Sequence, residues 1–190
     1  MIRIGIVGDI GSGKTFFAKL FKFPVFDADR VVSKLYKEDL DLFRKIKKKF
    51  PKEIGSFPIN KEELLRIILK QPNNLKALGK IIHPKVRKKM KGFFRMNKKR
   101  KFVVLDVPLL LENKLNTKRD IIIFIESDKK KINQKIKKRK NINLKLINIL
   151  KKNQIPLKFK KRKATFVIKN NFVSKTAKKN VKLILKKIDK

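Results

Sequence analysis

The sequence predicts an α/β fold, a five-stranded parallel sheet in three layers joined to a helical insertion and a lid. Three observations predict it. Short apolar runs lie near residues 2, 25, 103, 122 and 166, with helical patterning between them. A glycine-rich stretch, GDIGSGKT at residues 8–15, joins the first run to the first helical segment. Residues 30–100 carry helical periodicity and no strand of their own. One domain of 190 residues accommodates a core (about 1–29, 101–128 and 164–190), an insertion (about 30–100) and a basic lid (about 129–160).

Each element has its own signal. IRIGIV is a short β-branched run, and TFFAKLF places Phe16, Leu20 and their neighbours at helical spacing. FPVF reads as a second strand that ends on DADR. Val31, Leu35, Leu40, Phe43 and Ile46 keep a helical period through residues 30–50, and FPKEIGSFP breaks it with Pro and Gly. INKEELLRIILKQ starts a helix, with Asn60 as N-cap and Glu63 three residues on, close to a capping box. A further helix is expected from about Asn74 to Ile82, with His83-Pro84 marking a break before KVRKKMKGFFRMNKK. Phe102–Leu105 and the IIIFI run after Arg119 are continuous apolar stretches, as in strands covered on both faces, and ATFVIKNN supplies the fifth. In such a sheet the active residues belong at the C-terminal strand ends, where Asp27 and Asp106 fall.

The glycine-rich stretch completes the pattern G-x-x-x-x-G-K-[ST] between a strand and a helix, the context a phosphate-binding loop requires. Gly8, Gly11 and Gly13 let backbone N–H groups turn inward around an anion. Lys14 then reaches the β and γ phosphates, and the Thr15 hydroxyl ligates Mg²⁺. Gly8, Asp9, Ile10, Gly11, Ser12, Gly13, Lys14, Thr15 and Phe16 are the expected nucleotide-binding residues, with ATP and Mg²⁺ as cofactors. Asp9 is expected to turn its carboxylate outward. A carboxylate at a strand end facing this loop suits a phosphoryl-transfer base, which points to Asp27, although capping the following helix is the other role open to it. Asp106 stands where a partner for Mg²⁺ and its water would sit.

Composition narrows the chemistry. With no cysteine and one histidine, His83, thiolate catalysis, disulfides and multi-histidine metal clusters are excluded, which leaves oxygen-bound metal. No run approaches the ~20 apolar residues of a membrane span, and no signal-peptide pattern precedes the first strand, so a cytoplasmic location and no membrane partner are expected. Fifty-five Lys and Arg against 15 Asp and Glu give a net charge of +40. The lysines are spread from Lys19 to Lys190 among many Ile, Asn and Phe residues, as AT-rich coding would produce; a dedicated polyanion surface is the competing reading. Residues 129–154 read either as a solvated basic helix pair or as a lid over transferring phosphates, and their position after the fourth strand favours the lid.

GDIGSGKT, VFDAD, INKEEL, IIHPKV, LDVPLLLEN and FVIKNN occur in that order over essentially the full length, and in them the chain resembles the dephospho-CoA kinase family. The resemblance implies ATP-dependent phosphorylation of the ribose 3′-hydroxyl of dephospho-CoA to give coenzyme A and ADP. It implies that Asp27 orients that hydroxyl or accepts its proton, with Asp29 beside it. His83 and Pro84 would belong to the insertion that closes over the acceptor, Pro108, Leu109, Leu110 and Glu112 to the acceptor wall, and Arg139 to the lid. Lys61, Lys135, Thr165 and Phe172 depart from the family pattern, standing where arginine, arginine, aspartate and glycine are usual. A nucleoside or nucleoside-monophosphate kinase is the neighbouring alternative, and a basic RNA-binding protein the alternative from another class. A monomer or small homo-oligomer is expected, with no specific nucleic-acid partner and at most weak, non-specific RNA binding.

Overall fold

The computed structural model describes residues 1–138 and 143–189. The chain forms two compact units. One holds Met1–Asp27, Asn97–Ile142 and Lys151–Lys190, the other Ala28–Met96 and Asn143–Leu150.

The first unit is built on five parallel strands: β1 (Ile2–Gly8), β2 (Val25–Asp27), β3 (Phe102–Asp106), β4 (Ile121–Ser127) and β5 (Phe166–Asn170), in the order β2-β3-β1-β4-β5. All five expected strands are present. The central position of β1 explains its composition, since it is paired on both edges and covered on both faces. Register places Ile4 beside Val104 of β3, and Ile6 beside Ile123 of β4. Helix α1 (Lys14–Leu20) contributes the fully buried Phe17 and Phe21 follows it into the core. These rings meet Ile4, Ile6, Ile168, Val181 and Ile184 in one apolar cluster, where each buried side chain contributes roughly 1.5–3 kcal/mol.

In the second unit the periodic block from residue 30 resolves into α2 (Ala28–Glu38) and α3 (Leu40–Lys49). Asp39 separates them as the cap of α3, its carboxylate accepting from the Leu42 N–H at 2.8 Å. Next comes α4 (Lys61–Lys70), with the expected capping box complete: the Asn60 side chain accepts from the Glu63 N–H at 3.2 Å and Glu63 accepts from the Asn60 N–H at 3.0 Å.

The expected break at His83-Pro84 is not there. Helix α5 runs unbroken from Asn73 to Met96 with Pro84 inside it. Proline removes the N–H that would bond the Lys80 carbonyl, at a cost of about 3 kcal/mol in a helix interior. Against that cost stand Leu78 and Ile82 before the proline and Val86 and Met90 after it, all buried and four residues apart, so one apolar stripe continues through the site. A break would have turned half of that stripe away from the core.

The basic segment forms α6 (Lys129–Lys137) and α7 (Leu144–Lys152), α8 (Leu157–Arg162) follows, and the chain closes with α9 (Ser174–Ile188).

The buried Glu63 does more than close the capping box, because its other oxygen accepts from the Gly55 N–H at 2.7 Å. Glu63→Ala strands two backbone donors and should cost about 2 kcal/mol or more, whereas Asn60→Ala should cost about 1 kcal/mol. Urea unfolding of the two variants checks the order; a larger loss at Asn60 would show that the Gly55 contact contributes nothing.

Candidate active site

The loop after β1 is shaped by what surrounds it. Gly13 sits at φ 94° and Gly11 at φ 82°, both in the left-handed region that favours glycine. Space enforces the same choice: a Cβ on Gly13 would lie 2.9 Å from the Asn170 side-chain nitrogen, and one on Gly11 would press on Ile136 of α6 at 3.1 Å. Ser12 is fully buried, and its carbonyl accepts from Asn170 Nδ2 at 2.9 Å and from Ser127 Oγ at 3.0 Å. The C-terminal ends of β4 and β5 thus clamp the loop from beneath. The Ser12 hydroxyl is buried with no hydrogen-bond partner among the described residues. Asp9 folds its carboxylate onto the neighbouring Ile10 N–H at 2.7 Å, while Phe16 is largely exposed on α1.

Lys14 lies across the loop, its ammonium donating to the carbonyls of Asp9 at 2.8 Å and Gly8 at 3.4 Å. Beside it, Asp27 and Asp106 end neighbouring strands as register partners. Asp106 is buried and accepts a hydrogen bond from the Thr15 hydroxyl. Burial raises the Asp106 carboxyl above its ordinary 3.8 and the nearby Asp27 charge adds to this, while Thr15, Lys14 and Lys19 counter only part of the rise. Two carboxylates, a hydroxyl and an ammonium therefore converge at the strand ends. That donor set suits a hard divalent cation beside a triphosphate, and the glycine-lined loop is a cradle that any Cβ would fill.

Other expected site residues fall elsewhere. Pro108 and Leu109 lie half-buried in the turn after β3. Glu112, at the end of that turn, is tied to Lys160 of α8 by a 2.7 Å ion pair with 9% and 1% of the two side chains exposed, and it also accepts from the Ile155 N–H at 3.2 Å. Asp29 and His83 belong to the helical unit. Asp29 is exposed in the first turn of α2, and His83 is half-buried on α5 against Gly79. Burial, helped by the Arg87 charge, lowers His83 below its ordinary 6.5, so its ring is neutral at pH 7. Arg139 lies outside the described residues.

Sequence reasoning missed Ser127 and Lys160. Nothing separates Lys160 from its neighbours in LKFKKRK except the buried carboxylate it reaches, and Ser127 is an ordinary strand-end residue until the sheet order sets it beneath the loop. Asn170 was visible only as part of the FVIKNN motif.

A family model described as "Dephospho-CoA kinase" matches residues 2–176. The chain belongs to the dephospho-CoA kinase family. It is 36% identical over 170 residues to the "Dephospho-CoA kinase" of Wolbachia sp. subsp. Brugia malayi, with 87% of each chain covered. Among solved structures, "TT1252 from Thermus thermophilus" shares the fold at a TM-score of 0.78 and 24% identity, covering 98% of this chain and 97% of that one. The "Dephospho-CoA kinase from Campylobacter jejuni" does so at 0.65 and 21%, covering 98% and 96%. As a member of the family the chain is a phosphotransferase, an ATP-dependent kinase acting on dephospho-CoA in coenzyme A biosynthesis. Among the described residues no helix is long and apolar enough to cross a membrane.

Removing one partner of the buried Glu112–Lys160 pair strands the other charge, so Lys160→Met should lower stability by about 3–5 kcal/mol. The double variant Lys160→Met, Glu112→Gln should recover more than half of that loss. Chemical unfolding of the three proteins checks this, and equal stability of single and double variants would count against the coupling.

Asp106 yields a pH prediction. The folded carboxyl holds its proton more tightly than the unfolded one, so its contribution to stability falls as pH rises from about the ordinary 3.8 through the raised folded value, and stays low at neutral pH. Asp106→Asn should therefore raise the Tm at pH 7 by roughly 2–4 °C for each ~1 kcal/mol of relieved burial cost. The gain should shrink as pH approaches 4, and activity should drop. Calorimetry at pH 4 and pH 7 tests it; a gain independent of pH would contradict the assignment.

Proposed function

We propose that the cluster at the ends of β1, β2 and β3 carries the reaction, transferring the γ-phosphoryl group of ATP to the ribose 3′-hydroxyl of dephospho-CoA. The supporting observation is the register pairing of Asp27 with Asp106, with Thr15 bonded to one carboxylate and Lys14 beside it. In this reading the loop from Gly8 to Phe16 binds the triphosphate, and Lys14 shifts from its loop carbonyls to the β and γ oxygens. Thr15 and Asp106 would hold Mg²⁺, which supplies charge neutralisation on the phosphates.

Asp27 aligns the attacking hydroxyl for in-line transfer. A loose transition state needs little proton removal early, so the carboxylate takes the proton late. Pro108 and Leu109 shape the acceptor wall, and Glu112 fixes that wall to α8. Asp29 and His83 serve the acceptor from the helical insertion, and Arg139, outside the described residues, supplies positive charge to the transferring phosphates. The segment 129–160 acts as that lid, and the protein works in the cytoplasm as a monomer or small homo-oligomer.

Asp27→Asn keeps the shape and weakens the role. The turnover rate should fall ~10²-fold or more while the KM for ATP changes little, because the triphosphate contacts lie on the loop around Lys14. The same change at Asp29 should cost less. Steady-state kinetics with dephospho-CoA, alongside a panel of nucleosides and nucleoside monophosphates as acceptors, tests both the residue and the acceptor. An Asp27 variant as fast as wild type removes this residue from the mechanism, and faster turnover of a nucleoside would replace the acceptor.

A further inference from the structure

The helical unit carries a groove of about 1050 Å³ between α3 and α5; Pro84 is the one lining residue that the family resemblance also names, and none of the lining residues belongs to the cluster at the strand ends. Lys45, Lys48 and Lys49 of α3 form one bank. Lys80, Lys85, Lys88, Lys89 and Arg95 of α5 form the other. Between them the floor carries Ile81, Pro84 and Met96.

Two of these cations are already matched. Lys85 pairs with Asp39 at 3.0 Å and Asp41 at 2.7 Å, and Lys45 pairs with Asp41 at 2.9 Å. The other six form no ion pair among the described residues, although Asp39 lines the same groove and is already taken by Lys85. Asp39 and Asp41 are taken up by Lys85 and Lys45, so the remaining cations of the two banks repel one another, a cost that a bound anion relieves. His83 and its neighbour Arg87 are not among the residues that line the groove.

We propose that this groove is a second phosphate-recognising site, which takes single-stranded nucleic acid through its sugar-phosphate backbone. The choice of occupant follows from what lines the walls. Seven of the eight cations are lysines, point charges that suit phosphates without fixing a register, and no aromatic ring lines the groove to stack or select bases. From Lys80 to Arg95 the α5 bank extends roughly 22 Å, at ~1.5 Å per residue. That length admits on the order of four nucleotides, the low end of single-strand site sizes. An acidic amphipathic helix would need apolar pockets at successive turns, and this floor offers Ile81, Pro84 and the exposed Met96 alone.

The experiment uses the full-length protein and a fluorescent 12-nucleotide oligouridylate, with anisotropy read at several salt concentrations. Lys48→Ala, Lys88→Ala and Lys89→Ala are combined in one variant. A second variant removes the same charge from α9 by Lys178→Ala, Lys179→Ala and Lys182→Ala. The groove variant should bind at least ~10-fold more weakly and flatten the log Kd against log salt slope by about 2, at ~0.7 per phosphate contact. The α9 variant should stay within about twofold of wild type, and oligoadenylate should bind like oligouridylate. Phosphorylation of dephospho-CoA should be unchanged in both variants, so the outcome is separable from the kinase reading. Equal weakening by the two variants would mean diffuse charge rather than a site. Displacement of the RNA by polyglutamate at matched charge would give the groove to an acidic peptide instead; either result overturns the proposal.

Discussion

The carbonyl of Ser12 is the point on which the site depends. It is buried, so it must be satisfied internally, and its two donors come from the ends of two different strands, Ser127 of β4 and Asn170 of β5. Those donors are in place only when the sheet has the order β2-β3-β1-β4-β5, with β1 and β4 in register to Gly8 and Ile125. Loop geometry and sheet topology are therefore one constraint. The left-handed turn at Gly13 follows from it, since Asn170 occupies the space that a side chain there would need. Once Gly13 is set, Lys14 and Thr15 begin α1 and face the ends of β2 and β3.

On the other side of β1 the sheet sets charge against solvation. Register brings Asp27 and Asp106 side by side, and burial raises the Asp106 carboxyl. A fold selected for stability alone would place an amide or an apolar residue there. The Thr15 hydroxyl and the Lys14 and Lys19 charges offset part of the cost but do not remove it. Such residual cost concentrated at one strand end is characteristic of a site where a ligand completes the electrostatics.

The sheet was legible because a strand covered on both faces must be a continuous apolar run, and IRIGIV, FVVL and IIIFI have no other reading at their lengths. The loop was legible because its glycines, lysine and threonine each answer a separate physical need. Helix α5 was misread at Pro84, where a local rule was applied and burial of Val86 and Met90 beyond it decided the outcome. The partnership of Lys160 with Glu112 was not legible at all. In a segment where nearly every second residue is basic, identity carries no information about which lysine turns inward, and only the packing of α8 against the turn after β3 selects it.

Phe172 shows how a departure from the family pattern can be accommodated. It stands where glycine is usual, and its backbone has φ 66°, the left-handed conformation that glycine adopts without strain and that costs a bulky residue about 1–2 kcal/mol. Two contacts hold it there. Its N–H donates to the Asn170 side chain at 2.9 Å, and the Lys135 ammonium lies 4.8 Å from its ring centre, an attraction of roughly 0.5–1 kcal/mol at an exposed position. The attraction offsets only part of the strain. The ring nevertheless links α6 to the turn after β5, and that turn holds Asn170 beneath Ser12. A glycine would give the same backbone with no link, so the substitution couples the base of the basic segment to the clamp under the phosphate loop at a modest net cost in stability.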